Sequence, residues 1–278
     1  MRYLLLTSKW SHPLQPNHRN KREFMIEFCE IGCLLCEQPS ASKAASAQAK
    51  CSSCGIKMFR VRPNEINLLC PHCRYHLATE VITQSLLAHE STNPTTILLD
   101  SMDYPNLNIC GKEFLYLICG SLLTAYFHVG QDIDLQTELI NAKKVTSQIP
   151  GGSCALWSSF GTALAAKAFI DMLADLRGLS KIKRKLSRHF LFKALGNVAV
   201  NDTHQGIVRC CRSNAIIVLL SATIFVQEFF NVPLSLPVHP VCSFNELPRT
   251  CGQSSCLFYP KFDSKPCSAY SVRDLLLP

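Results

Sequence analysis

From residue 78 onward the apolar residues return at helical spacing, and the chain divides into seven helix-length segments. Val81, Leu86 and Leu87 mark a first helix that ends near Asn93-Pro94, and Thr95 to Asp103 predicts a short second one. Glu113 to Val129 carries Phe114, Leu117, Ile118 and Leu122 on one stripe, and Gly130 supplies its stop. Asp134 to Ile149 reads as a polar-faced fourth helix. Pro150-Gly151-Gly152-Ser153 breaks the pattern, Ser153 being a capping residue for a helix from Cys154 to Leu176. Gly161, Ala163, Ala165 and Ala166 in that helix leave room for neighbours to approach closely. Ser180 to Leu195 is basic on one side, and its apolar stripe (Leu179, Ile182, Leu186, Phe190) marks the core side. Ile207 to Phe230 is apolar nearly all round and predicts a core helix. Prolines at 233, 237, 240 and 248 then exclude helix.

The pattern therefore predicts a mainly α fold, with a helical domain over residues 78–232 and an irregular cysteine-bearing segment over 233–278. Residues 29–77 form a small zinc-ribbon-like module ahead of it, described below. Residues 1–28 lack a period and read as a disordered leader, with Met25 an alternative start to Met1. The stretch from Pro39 to Lys50 is low in complexity and loop-like.

Sixteen cysteines in 278 residues change the picture more than the formal charge of +8 does. The Leu4-Leu5-Leu6 run is too short for a secretion signal. The longest apolar run, Ala215 to Val226, has 12 residues with Ser221 and Thr223 inside it, where a membrane span takes about 20. These features predict a soluble protein of a reducing, cytoplasmic compartment. There thiols serve metals or redox chemistry rather than disulfides.

Cys51-Ser-Ser-Cys54-Gly55 and Cys70-Pro-His-Cys73 are two knuckles with 15 residues between them. Each C-x-x-C puts two thiolates on one tight turn, and Gly55 allows the backbone to leave that turn with positive φ. Lys57 to Val61 and Ile66 to Leu69 are strand-like around Pro63-Asn64, and a hairpin between them would bring four thiolates to one zinc. A third pair, Cys33 and Cys36, lies upstream near Cys29. It could hold a second ion with His72 or His76, act as a redox dithiol, or simply pack against the ribbon. A second group comprises Cys210, Cys242, Cys251 and Cys256, whose thiolates suit zinc or an iron–sulfur cluster, or pack the tail onto a helix. Cys210 and Cys211 point about 100° apart if both are helical, so one of them suffices. Cys119 and Cys154 read as core residues.

With these residues in view the chain resembles an uncharacterised cysteine-rich family, domain of unknown function 5714, of anaerobic archaea and bacteria. The motifs that carry the resemblance are Cys33/Cys36, Cys51/Cys54-Gly55, Leu69-Cys70 with Cys73, and Ile149-Pro150-Gly151-Gly152 with Cys154. They continue with Gly206, Arg209-Cys210-Cys211-Arg212, Cys242-x-Phe244-Asn245, Cys251, Cys256 and Tyr259-Pro260. The family's His-Gly-Pro-Glu-His-His stretch is here Cys110-Gly111-Lys112-Glu113-Phe114-Leu115, and Phe160 stands where a further cysteine is expected. Cys110 could replace one ligand, whereas Phe114 and Leu115 cannot. The resemblance implies a metal-binding protein that is accessory to, or a partly decayed form of, a metal- or sulfur-handling enzyme of anaerobic metabolism. No glycine-rich methyl-donor motif, Ser-His-Asp set, P-loop or dinucleotide fingerprint is readable. The rival reading is a zinc-ribbon nucleic-acid-binding protein using Arg177, Lys181, Lys183, Arg184, Lys185 and Arg188, less favoured because aromatic residues do not interleave with the charges.

Overall fold

The computed structural model describes residues 49–50, 54–55, 57–58, 71–102, 111–150, 160–201, 210–242, 256–260 and 276. Two short strands, β1 (Ala49–Lys50) and β2 (Lys57–Met58), pair antiparallel with Ala49 opposite Met58 and Lys50 opposite Lys57. Seven helices follow: α1 (Pro71–Ala88), α2 (Pro94–Ser101), α3 (Lys112–His128), α4 (Leu135–Thr146), α5 (Phe160–Leu176), α6 (Lys183–Val200) and α7 (Cys211–Phe230). The mainly α expectation holds for the described residues.

Local chemistry sets most of the boundaries. The Asn93 side chain accepts from the amides of Thr95 and Thr96, and Pro94 opens α2 where its missing N–H is harmless. Asp134 caps α4 in the same way, through Gln136 and Thr137. Hydrogen bonds from Thr137 and Gln136 favour the charged carboxylate and hold Asp134 below the usual range. Gly130 and Gly178 take positive φ at the stops of α3 and α5. α1 departs most from the sequence pattern. It begins at Pro71 rather than near Ala78, because a proline at the first helical position and a run of tolerant residues carry the helix back into the second knuckle. α6 starts at Lys183 and runs on to Val200, leaving Ile182 ahead of it and 47% exposed, outside the stripe expected to face the core.

The core is built around α3 and α7, whose side chains are buried on nearly every side. Around α3 lie α1, α2, α4, α5 and α7, and α7 also packs against α5 and α6. Phe225 of α7 is fully buried among Phe190, His189, Phe229 and Phe230. The hydroxyls that interrupt these apolar helices are satisfied within them: Ser121 donates to Leu117 O, Ser221 to Ile217 O and Thr223 to Leu219 O. Asn197 Nδ2 donates across to Ser221 Oγ at 2.9 Å. α7 is also long and apolar enough to cross a membrane by length and composition, which the 12-residue run had understated. Most of its apolar stretch is buried inside the protein, as in the core helix of a soluble domain.

Contacts along the helices fix their directions. Thr83 meets Tyr116, Leu86 lies over Gly120, and Thr124 donates to Leu86 O, so α1 and α3 run parallel. The C-terminal halves of α3 and α5 adjoin: Tyr126 sits edge-on to Phe169, and Arg177 donates to Tyr126 Oη at 3.0 Å and to Gln131 Oε1 at 2.7 Å. α6 runs against α7, pairing Asn197 with Ser221 and Lys193 with Glu228. The turn at Gly178, tied by Lys183 to Asp175, reverses the chain between α5 and α6. α1, α3, α5 and α7 therefore all begin at one end of the bundle. Replacing Phe225 by alanine should cost about 3–5 kcal/mol, measured by urea unfolding. Removing the exposed Phe192 ring should stay within about 0.5 kcal/mol.

Candidate functional site

The common starting end of the four odd-numbered helices gathers most of the chemistry-bearing residues that the structure describes. Cys73 occupies the first turn of α1 and is half-buried. Glu113 lies in the first turn of α3 and is buried. Cys210 stands in the N-cap position of α7, half-buried, and Cys211 is the first helical residue and buried. The C-terminal end of α4 closes the same end, where Tyr75 Oη reaches Lys143 O at 3.5 Å and Lys112 Nζ donates to Ser147 O at 2.8 Å. Lys112 thus sets a cation on the carbonyl end of a helix, the favourable sign for its dipole.

Glu113 is held in an unusual way. Gly111 precedes α3 in the N-cap position, and a Cβ there would collide with the Glu113 carboxylate, which folds back over the helix start. An acid in that position suits the positive end of the helix. Its charge also reaches Tyr75 of α1: burial first, then the Glu113 carboxylate, raises the Tyr75 phenol above its ordinary range. Further along the same α1–α3 seam, Tyr116 is buried against Thr83 Oγ1 at 2.8 Å, and burial pushes its phenol up to about 12. Phe114 and Leu115 are fully buried core residues.

Gly55, directly after Cys54, takes φ +71°, and the β1–β2 pairing brackets the turn. Cys54 itself is exposed. The strand partner of Lys57–Met58 is Ala49–Lys50 on the other side of the knuckle, whereas Ile66–Leu69 lies outside the described residues. Cys33, Cys36, Cys51, Cys70, Cys110, Cys154 and Cys251 also lie outside them.

In the second group, Cys256 is buried in the main core together with Cys211, and Cys242 packs against that core. The Cys242 amide donates to Phe258 O at 2.8 Å, which ties the two parts of the tail together. The doublet is read differently from the sequence expectation: Cys210 precedes the helix, and Cys211 is the thiol turned into the core that holds Cys256. Among the described residues no three His, Cys, Asp or Glu side chains converge as a metal cluster. Cys119 is fully buried and its thiol is raised by burial, in keeping with a packing role.

The chain matches the family of unknown function DUF5714 over residues 82–259, well over half its length. It belongs to this family. No curated protein and no solved structure matches the chain. The DUF5714 match takes in Gly111 and Glu113, the Pro150-Gly151-Gly152 break, the Arg209-Cys210-Cys211-Arg212 run and the tail as far as Tyr259. The three N-terminal cysteine pairs lie ahead of the matched span.

Sequence reasoning did not single out Tyr75, Tyr116 or Asn214. A signal for the last was present: Arg212-Ser213-Asn214 is a polar triplet at the front of an otherwise apolar helix, and all three residues are buried.

Gly111→Ala should cost no more than about 1 kcal/mol, because the Glu113 carboxylate it meets is the far end of a flexible side chain and can turn aside. In a Glu113→Ala background that cost should fall by at least half, as a double-mutant cycle in urea would show. The Tyr116 phenol ionises near pH 10 when unfolded and near 12 when folded. Its contribution to stability is therefore complete below pH 10 and lost as pH rises through about 12. A Tyr116→Phe variant should lose less stability over that window in pH-dependent unfolding.

Proposed function

We propose that this DUF5714 member is a metal-binding protein, with one zinc held by Cys51, Cys54, Cys70 and Cys73. The observation that carries the reading is Gly55 in the left-handed region immediately after Cys54, inside the β1–β2 hairpin. A zinc knuckle needs that backbone turn, and four buried packing cysteines would not. Cys73 in the first turn of α1 adds support, since first-turn amides and the helix dipole favour a thiolate. The same site class extends to a second thiolate group, Cys210 or Cys211 with Cys242, Cys251 and Cys256, suited to zinc or an iron–sulfur cluster. Cys33 and Cys36 are a further donor pair.

Within cellular chemistry the protein acts in the cytoplasm as an accessory to, or a decayed form of, a metal- or sulfur-handling enzyme. The burial of Phe114 and Leu115 supports the decayed form: two positions that are histidine in the resembled family are here apolar and walled into the core, where no ligand role is open to them.

A second reading, nucleic-acid binding, gains one observation. Phe192 is 69% exposed on α6, one turn beyond Arg188, on a helix that also exposes Arg184 and Lys185. An aromatic platform among cations is what single-stranded nucleic acid requires.

Protein purified without oxygen should carry at least one equivalent of zinc per chain by elemental analysis. Cys54→Ser and Cys73→Ser should each remove one equivalent and lower the melting temperature, because in so small a module the metal contributes folding energy. Metal-free wild-type protein would exclude the reading. Salt-dependent polynucleotide binding that is lost with Arg188→Ala and Phe192→Ala would instead establish the second.

A further inference from the structure

α6 and the turn before it carry charge of one sign only. From Leu176 to Asn201 the sequence has no Asp or Glu, and seven Lys or Arg stand in that stretch. Three of the seven are used inside the fold: Lys183 pairs with Asp175, Lys193 with Glu228, and Arg177 donates to Tyr126 and Gln131. The other four, Lys181, Arg184, Lys185 and Arg188, are exposed and have no ion-pair partner among the described residues. Like charges held together on one face repel, and the potential they raise attracts an anionic surface.

The same side of the helix exposes apolar side chains. Phe192 is 69% exposed one turn beyond Arg188, and Val200 is 64% exposed about two turns further on. Lys181, Arg188 and Phe192 recur at spacings of seven and four, while Ile182, His189 and Val200 fill the adjoining row. Ile182 is exposed too, and so is Phe229 at the end of α7, whose ring lies 5.1 Å from that of His189. Single exposed apolar residues are ordinary. These stand in line with four unpaired cations, and the core does not require them there, because α6 meets it through Phe190, Ala194 and Val198 on the opposite side.

The mixture of side chains decides between partners. A nucleic acid would use the same cations and stack a base on Phe192, but Ile182 and Val200 give a base nothing to stack on. Both gain by entering an apolar phase. A helix in solvent presents a ridge rather than a groove, so it suits a surface that yields around it.

We propose that the outer face of α6 docks the protein onto an anionic phospholipid bilayer. The helix lies along the surface, with Phe192 and Val200 at the boundary of headgroups and acyl chains and Lys181, Arg184, Lys185 and Arg188 against the anionic headgroups. Docking is peripheral and reversible, and it leaves α7 in the core. It requires no bound metal, so it stands or falls separately from the zinc reading.

The test uses full-length protein and sedimentation with vesicles of two parts phosphatidylcholine to one part phosphatidylserine, or of phosphatidylcholine alone. Wild-type protein should bind the anionic vesicles at least tenfold more tightly than the neutral ones, and less tightly as salt is raised. Arg184→Gln with Arg188→Gln should weaken that binding at least tenfold. Phe192→Ser with Val200→Ser should weaken it at least fivefold. All four side chains are exposed, so thermal unfolding without vesicles should match wild type. A gain of signal serves beside these losses: Phe192→Trp, corrected for Trp10 and Trp157 with wild-type protein, should shift its emission to the blue on anionic vesicles. Equal affinity for neutral and anionic vesicles, no emission shift, or a charge variant within twofold of wild type overturns the proposal. An emission change with a single-stranded polynucleotide but not with vesicles also overturns it, and assigns the face to nucleic acid.

Discussion

Two helices that are apolar on nearly every side cannot both be covered by water, and burying α3 and α7 is the constraint from which the rest of the fold follows. An amphipathic helix can cover one flank of such a rod and keep its other side wet, so several must surround the pair. α1, α2, α4, α5 and α6 do this. The polar atoms that remain inside are those whose hydrogen bonds close locally, such as Ser121, Ser221 and Thr223 on carbonyls one turn back. Helix direction then follows from the turns at Gly130 and Gly178. Direction is what brings residues far apart in sequence, such as Cys73, Glu113 and Cys211, to one end of the bundle.

Much of this was legible in the sequence, for identifiable reasons. Helix existence followed from apolar spacing, and an end followed where a residue with a single conformational use stood there, as Gly130 does at the stop of α3. The start of α1 was misjudged because Pro71 and Cys73 read as parts of a metal turn, although a first-position proline is also a good helix opening. The positive φ of Gly55 could be foreseen because glycine is the residue that adopts it without strain at a tight turn. The division of labour between Cys210 and Cys211 could not, since it depends on where α7 begins, and one residue of shift exchanges a capping position for a buried one. Asn214 was invisible for a related reason: whether its buried amide group meets a partner among the described residues depends on neighbours in space, which spacing along a chain does not record.

Glu113 and Gly111 are fitted to one another at the start of α3. The glycine leaves open the space that the carboxylate fills, and the carboxylate suits the start of α3. Each therefore has a structural use apart from any ligand. Phe114 and Leu115, next along the helix, are buried apolar side chains that bring no polar atom into the core.

The two ends of the bundle also differ in how tightly the chain turns. At the end where α3 stops and α5 stops, residues 129–134 and 177–182 suffice to reverse direction, each with a left-handed glycine. Ahead of α3, α5 and α7 the sequence between helices is longer, 102–111, 147–159 and 201–210, and it carries the cysteine- and glycine-bearing motifs. Evolution thus has separate substrates for two kinds of change. Sequence drift in the longer connections can alter the chemistry at one end while the short turns keep the helices in register. Changes in those connections leave the helix contacts that define the scaffold untouched.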